Sequence, residues 1–171
     1  MKKSRGIIMG DSLVKGQITL THEKLSKISN AVSEFLNETT VSKMIAEKTE
    51  EKVGYYGDLL VSLRRINVFC DEGKNSCEVI LNGNTFRKAA AEKTLFWIYH
   101  NCVEEFFNPR IENWYEDSRA AYTGKNAIKF AYDVPQSLKE MMASIEGPYQ
   151  TIREELEYYE TDYQTKVIQT K

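Results

Sequence analysis

Between Thr85 and Pro109 the chain places apolar side chains on nearly every helical face: Phe86, Ala89, Ala90, Leu95, Phe96, Trp97, Ile98, Tyr99, Cys102, Val103, Phe106 and Phe107. A helix that is apolar all round is stable only when other elements cover it, so this segment predicts the central member of a helical bundle. Thr85 is the expected N-cap, and Asn108-Pro109 ends the run because proline cannot continue a helix.

Amphipathic stripes elsewhere supply the cover. From Thr21, read as an N-cap, Leu25, Ile28, Val32, Phe35 and Leu36 recur at three- and four-residue steps to about Asn37. Thr39 or Thr40 caps a shorter helix carrying Val41, Met44 and Ile45. After a charged run over 47–52, Tyr56, Leu59, Leu60, Leu63, Ile66 and Cys70 form the stripe of a third helix, for which Gly73 is the expected C-cap. Cys77 to Leu81 then reads as a separate helical turn or two. Residues 1–20 lack helical periodicity and predict a flexible N-terminal arm ahead of one helical domain over 21–171; Met9 offers a second start.

Beyond Pro109 the pattern changes. Ile128, Phe130, Tyr132 and Val134 alternate at period two, the mark of a strand with one buried face. With residues 123–126 as the turn and 119–122 as the other arm, a β-hairpin around 118–134 results; a helix through Tyr122 capped by Gly124 fits nearly as well. Asp133 with Pro135 and Gln136 reads as the start of another helix, with Leu138, Met141, Met142 and Ile145 inward and Gly147-Pro148 as a break or kink. Tyr149, Ile152, Leu156, Tyr159, Tyr163 and Val167 then alternate three- and four-residue steps, a coiled-coil-like stripe over roughly three heptads. The expected fold is therefore mostly α: a single-domain bundle of about five to six helices with a short hairpin.

Bulk properties narrow the function. The 171 residues are 42% hydrophobic, enough for a real core. With 23 basic against 25 acidic residues the net charge is -2, so no nucleic acid partner is expected. The apolar run Ile7-Ile8-Met9 is too short for a signal peptide, and no window reaches the ~20 apolar residues of a membrane helix, so no membrane association is expected. Three cysteines, Cys70, Cys77 and Cys102, match no disulfide framework and read as reduced thiols in a cytoplasmic protein.

Catalytic signatures are missing. Neither His22 nor His100 has a glutamate three residues before it, as a di-iron bundle requires. Cys70 and Cys77 are too far apart for a zinc pair, and His100 and Cys102 point about 200° apart on a helix. No nucleophile elbow and no glycine-rich phosphate loop occurs. No cofactor, metal or catalytic residue is assigned.

Two groups of residues remain as candidate binding positions. Trp114, Tyr115, Arg119, Tyr122 and Lys125 gather in residues 114–126 with Glu116 and Asp117, a mixture of aromatics and charges typical of binding hot spots, although aromatics also anchor irregular segments. The basic pairs Arg64-Arg65 and Arg87-Lys88 offer anion contacts, the second from the first turn of its helix. Such pairs are more usually solvated surface.

Long strings along the chain resemble the YpuI family of uncharacterised proteins of spore-forming Gram-positive bacteria. They include Phe86-Arg87-Lys88-Ala89-Ala90-Ala91-Glu92-Lys93-Thr94-Leu95, Trp114-Tyr115-Glu116-Asp117-Ser118-Arg119 and Arg153-Glu154-Glu155-Leu156-Glu157-Tyr158-Tyr159. The likeness runs from about Met9 onward, with residues 1–8 an extension before the usual start. It implies a bacterial cytosolic protein of unknown function and carries over no catalytic residue. Two functions are expected to compete: a non-enzymatic interaction module that binds a protein partner or forms a homo-oligomer, and a small-molecule or anion-binding domain, enzymatic or not. The second needs Arg64, Arg65, Arg87, Lys88 and Arg119 to converge on a cleft beside Trp114 and Tyr122.

Overall fold

A computed structural model describes residues 10–45, 53–117 and 126–169. Helices α1 (Asp11–Glu38) and α3 (Val53–Leu81) form the longest seam, with the short α2 (Val41–Ile45) between them in sequence. They run antiparallel, because their polar rungs descend one helix while climbing the other. His22 pairs with Glu78 at 2.9 Å, Ser29 Oγ donates to Asp71, and Ser33 Oγ donates to Asn67 at 3.0 Å. Helix α4 (Lys88–Ile98) runs through a π-helical turn (Tyr99–Val103), where the Glu104 N–H reaches back to the Tyr99 carbonyl, into α5 (Glu104–Phe107). Strands β1 (Trp114–Glu116) and β2 (Ile128–Phe130) pair antiparallel. Helix α6 (Gln136–Glu155), a 3-10 turn (Glu157–Tyr159) and α7 (Asp162–Gln169) follow.

The expected stripes form the core. Leu25, Ile28 and Val32 of α1 face Leu59, Leu63, Ile66 and Cys70 of α3, all at 1% exposure or less. Each such aliphatic side chain contributes about 1.5–3 kcal/mol by leaving water. Phe106 stacks on Tyr149 of α6, with centroids 4.1 Å apart and planes 7° from parallel. Cys70, Cys77 and Cys102 are buried and free. Cys70 Sγ lies 3.1 Å from the Tyr149 hydroxyl, and the Cys102 thiol donates to the Phe69 carbonyl at 3.2 Å. No described helix is long and apolar enough to cross a membrane.

Several sequence expectations are corrected. Residues 11–20 are not an arm but the first three turns of α1. Val14 and Ile18, both at 0% exposure, continue the stripe of Leu25 backwards, and Thr21 is a buried mid-helix residue rather than a cap. Packing overrides the weak local propensity of this stretch. Gly73 does not end α3; the helix passes through it to Leu81 and takes in the segment from Cys77. Glycine is needed there for space, since a Cβ would sit 3.0 Å from Leu25 Cδ1 and 3.1 Å from Ile98 Cγ1. Helix α4 starts later than expected, with Arg87 at the N-cap and Thr85 exposed, and it is not apolar all round, because Ala89, Ala90 and Lys93 face solvent.

Thr40 does cap α2, accepting from the Lys43 N–H at 3.2 Å. The two-stranded sheet is present, but its first arm is Trp114–Glu116 rather than residues 119–122, which lie outside the described residues. Pro135, not Asp133, occupies the N-cap of α6, and Gly147-Pro148 does not break that helix. The missing Pro148 N–H falls on an exposed stretch, where water can bond the freed carbonyl. The long final coiled coil is absent. At Leu156 the backbone leaves helical geometry (φ -102°, ψ 17°), so Tyr149 and Ile152 belong to α6, Leu156 and Tyr159 are buried at the 3-10 turn, and Tyr163 and Val167 sit half-buried on α7.

Candidate functional site

The sheet register decides which side chains meet solvent. Trp114 faces Phe130, Tyr115 faces Lys129 and Glu116 faces Ile128. The Ala131 N–H bonds the Asn113 carbonyl and the Asp117 N–H bonds the Ala127 carbonyl, so 114:130 and 116:128 are the pairs without mutual hydrogen bonds. Trp114, Glu116, Ile128 and Phe130 therefore share the face turned to the helices, and Tyr115 and Lys129 point out. Trp114 is an anchor: it is 1% exposed and its indole N–H donates to the Phe106 carbonyl at 2.7 Å. Tyr115 is 56% exposed.

A second lock ties the sheet to α6. Arg153 donates through both terminal nitrogens to the two oxygens of Glu116 at 2.9 and 2.7 Å, and its guanidinium lies 3.6 Å from the Phe107 ring centroid. The bond to Glu116 holds the Arg153 pKa above its usual value. Two turns earlier on the same face of α6, Glu146, 4% exposed, accepts the Ala127 N–H at 3.0 Å. The backbone between sheet and helices is held by Tyr55, whose hydroxyl donates to the Asn113 carbonyl at 2.8 Å and whose ring meets Tyr132 edge-on at 4.9 Å. Burial pushes the Tyr55 phenol up to about 12.

Between β2 and α6 runs a groove of about 700 Å3. Its walls are Ile128, Lys129 and Phe130 on the strand side and Lys139, Met142 and Ala143 on the helix side. The pairing turns the N–H and C=O of Lys129 toward β1, which leaves those of Ile128 and Phe130 on the outer edge of β2. Among the described residues these four groups have no hydrogen-bond partner. Exposed Tyr115 and Tyr132 flank the groove, and its charges are mixed: Lys129 and Lys139 against Asp133 and Glu146.

The basic candidates do not meet at this groove. Arg64 is exposed on α3, and Arg65 turns inward 3.7 Å from Glu105, a 5% exposed carboxylate that also holds Arg110 Nε at 3.1 Å. Arg87 lies exposed at the start of α4, beside a pocket formed with Val79, Gly83 and Asn84, and Lys88 is half-buried next to it. Sixteen helical residues, about 24 Å, separate Arg65 from the end of α3 that leads to Arg87. Arg119, Tyr122 and Lys125 lie outside the described residues. Sequence reasoning passed over Arg153, Glu146 and Tyr132. Arg153 and Glu116 are 37 positions apart, and no local pattern marks them as partners. Tyr132 carried a signal, the period-two alternation that placed it on the strand.

Among the described residues no three His, Cys, Asp or Glu side chains gather where they could hold a metal ion. The fold is thus a mostly helical bundle with a two-stranded sheet braced against its sixth helix. The chain belongs to the family described as "Protein of unknown function (DUF3907)", whose model matches residues 18–165. It is similar to the uncharacterized protein YpuI of Bacillus subtilis (strain 168), with 45% identity over 152 residues that cover 89% of this chain and 84% of that protein. No solved structure matches it.

Proposed function

We propose that this chain is an interaction module that receives an extended segment of a partner protein as a third strand on the outer edge of β2. The observation that carries this reading is the edge itself: the N–H and C=O groups of Ile128 and Phe130, without partners among the described residues, border a groove walled on its far side by a helix. An exposed strand edge is a template for main-chain hydrogen bonding, and pockets for alternate side chains add selectivity. Met142 and Ala143 offer an apolar wall to one row of side chains, and exposed Tyr132 beyond the end of β2 and exposed Tyr115, opposite Lys129, offer aromatic contact. The three free, buried thiols support a cytosolic setting, where thiols stay reduced.

Selection of displayed random peptides against the full chain tests the reading. Binders are expected to shift the Ile128 and Phe130 amide resonances and to lose affinity about tenfold on Ile128→Pro, which removes one outward N–H, while Ile128→Val retains binding. Peptides that bind elsewhere, or no binders at all, would overturn the proposal. A concentration-dependent dimer abolished by Ile128→Pro would assign the same edge to a second copy instead.

A further inference from the structure

A second region, separate from the groove, holds polar atoms that the fold leaves unsatisfied. Glu92 of α4 is 6% exposed and makes no ion pair among the described residues. Its Oε2, Thr21 Oγ1 and the Tyr158 hydroxyl are all buried without a hydrogen-bond partner there. Geometry brings them to one seam. Glu92 and Phe96 are four residues apart on one face of α4, and the Phe96 ring lies 5.5 Å from that of Tyr163. Tyr163 in turn lies 5.5 Å from Tyr159 and 6.2 Å from Tyr158, and His100, one turn beyond Phe96, sits with Nε2 2.9 Å from the Tyr159 carbonyl. The 3-10 turn and α7 are therefore laid along this face of α4. From α1, Gln17 accepts the Tyr159 hydroxyl at 2.9 Å, and Thr21, at 0% exposure, lies one turn further on the same side.

We propose that Glu92, Thr21 and Tyr158, with the rings of Tyr159 and Tyr163, form a site for the ammonium head of a small primary alkylamine. Buried polar groups are almost always satisfied, and an orphaned carboxylate oxygen is among the costliest exceptions, so these oxygens call for a donor partner. Three oxygens able to accept match the three N–H donors of a primary ammonium, and neighbouring aromatic rings attract a cation through their quadrupoles. A quaternary ammonium has no N–H and would leave the oxygens unpaired. The Tyr158, Tyr159 and Tyr163 phenols are raised above their ordinary pKa, first by burial and next by their nearness to Glu92, which places all three rings close to that carboxyl. Tyr158 and Tyr163 are half-buried, so the seam lies just beneath the surface.

Calorimetric titration of the full chain with n-propylammonium chloride, against tetramethylammonium chloride and sodium chloride at equal ionic strength, tests the site. Saturable binding by propylammonium alone is expected, with a tyrosine ultraviolet difference spectrum. Glu92→Gln is expected to weaken it tenfold or more, as hydrogen bonds to a charged group imply. Tyr158→Phe, which keeps the ring, is expected to weaken it several-fold while circular dichroism stays native. A seam filled by an internal water would give no saturable response in any arm, and that result overturns the proposal. So does equal binding by tetramethylammonium, or binding that survives both substitutions.

Discussion

Gly73 shows how much depends on the absence of one methyl group. Its Cα faces buried Leu25 and Ile98 at the same time, so an added methyl would have to displace both side chains by a few tenths of an ångström within a packed core. Overpacking of this kind costs about 1–3 kcal/mol, and alanine returns up to about 1 kcal/mol through better helix propensity. Gly73→Ala is expected to lower stability by about 1 kcal/mol in urea unfolding, and Gly73→Val by more. The thiols nearby are protected in a different sense. Burial pushes the Cys77 thiol up to about 12, and burial together with the nearness of Cys70 raises Cys102 well above the usual thiol range. Since the thiolate is the reactive form, the native protein is expected to resist iodoacetamide at pH 8 and to take up the label only in urea, as mass spectrometry would read.

At the scale of elements, the sheet is too small to stand alone and depends on its braces. Arg153→Ala removes two charge-assisted bonds to Glu116 and the contact with Phe107, an arrangement only partly open to solvent. Opening of the sheet is expected to become easier by about 1–3 kcal/mol, seen as faster hydrogen exchange at the Asp117 and Ala131 amides. The α1–α3 seam has its own titrating rung. The hydrogen bond from His22 holds the Glu78 carboxyl below its ordinary range, so its contribution is present above that range and disappears as pH falls through it. Glu78→Gln is expected to flatten the loss of stability toward acid, measured by urea midpoints between about pH 5 and pH 3. The stripes of α1 and α3 were legible because their spacing is regular and their residues, half-buried Leu36 apart, are all buried. Gly73 was misread because a glycine that ends a helix and one that admits a neighbouring helix look alike in one dimension. The brace between Glu116 and Arg153 had no local signature at all.

For the whole molecule, the buried thiols and phenols set the alkaline limit. Their folded pKa values lie above the unfolded ones, so the stability they contribute is complete below the unfolded range and is lost as pH rises toward the folded values. Urea midpoints are expected to fall from about pH 9 upward, the range in which free cysteine and tyrosine begin to ionise. The class of fold was readable in the sequence, yet the candidate groove was not, because it arises from a strand edge and a helix wall that meet only in three dimensions. The π-helical turn at Tyr99–Val103 touches the same theme. A turn closed five residues back instead of four carries one residue beyond the α-helical count, and this delays the helix's rotation by roughly 100°. Ile98 before it and Phe106 after it, eight residues and about 80° apart in α-helical phase, are brought by this delay to nearly the same direction, and both are buried. The turn thus acts as a clutch between two helical registers. Excising a single residue within it would leave the composition of the rod almost unchanged while swinging Phe106 away from Tyr149 and loosening the carbonyl that holds Trp114, and with it the sheet.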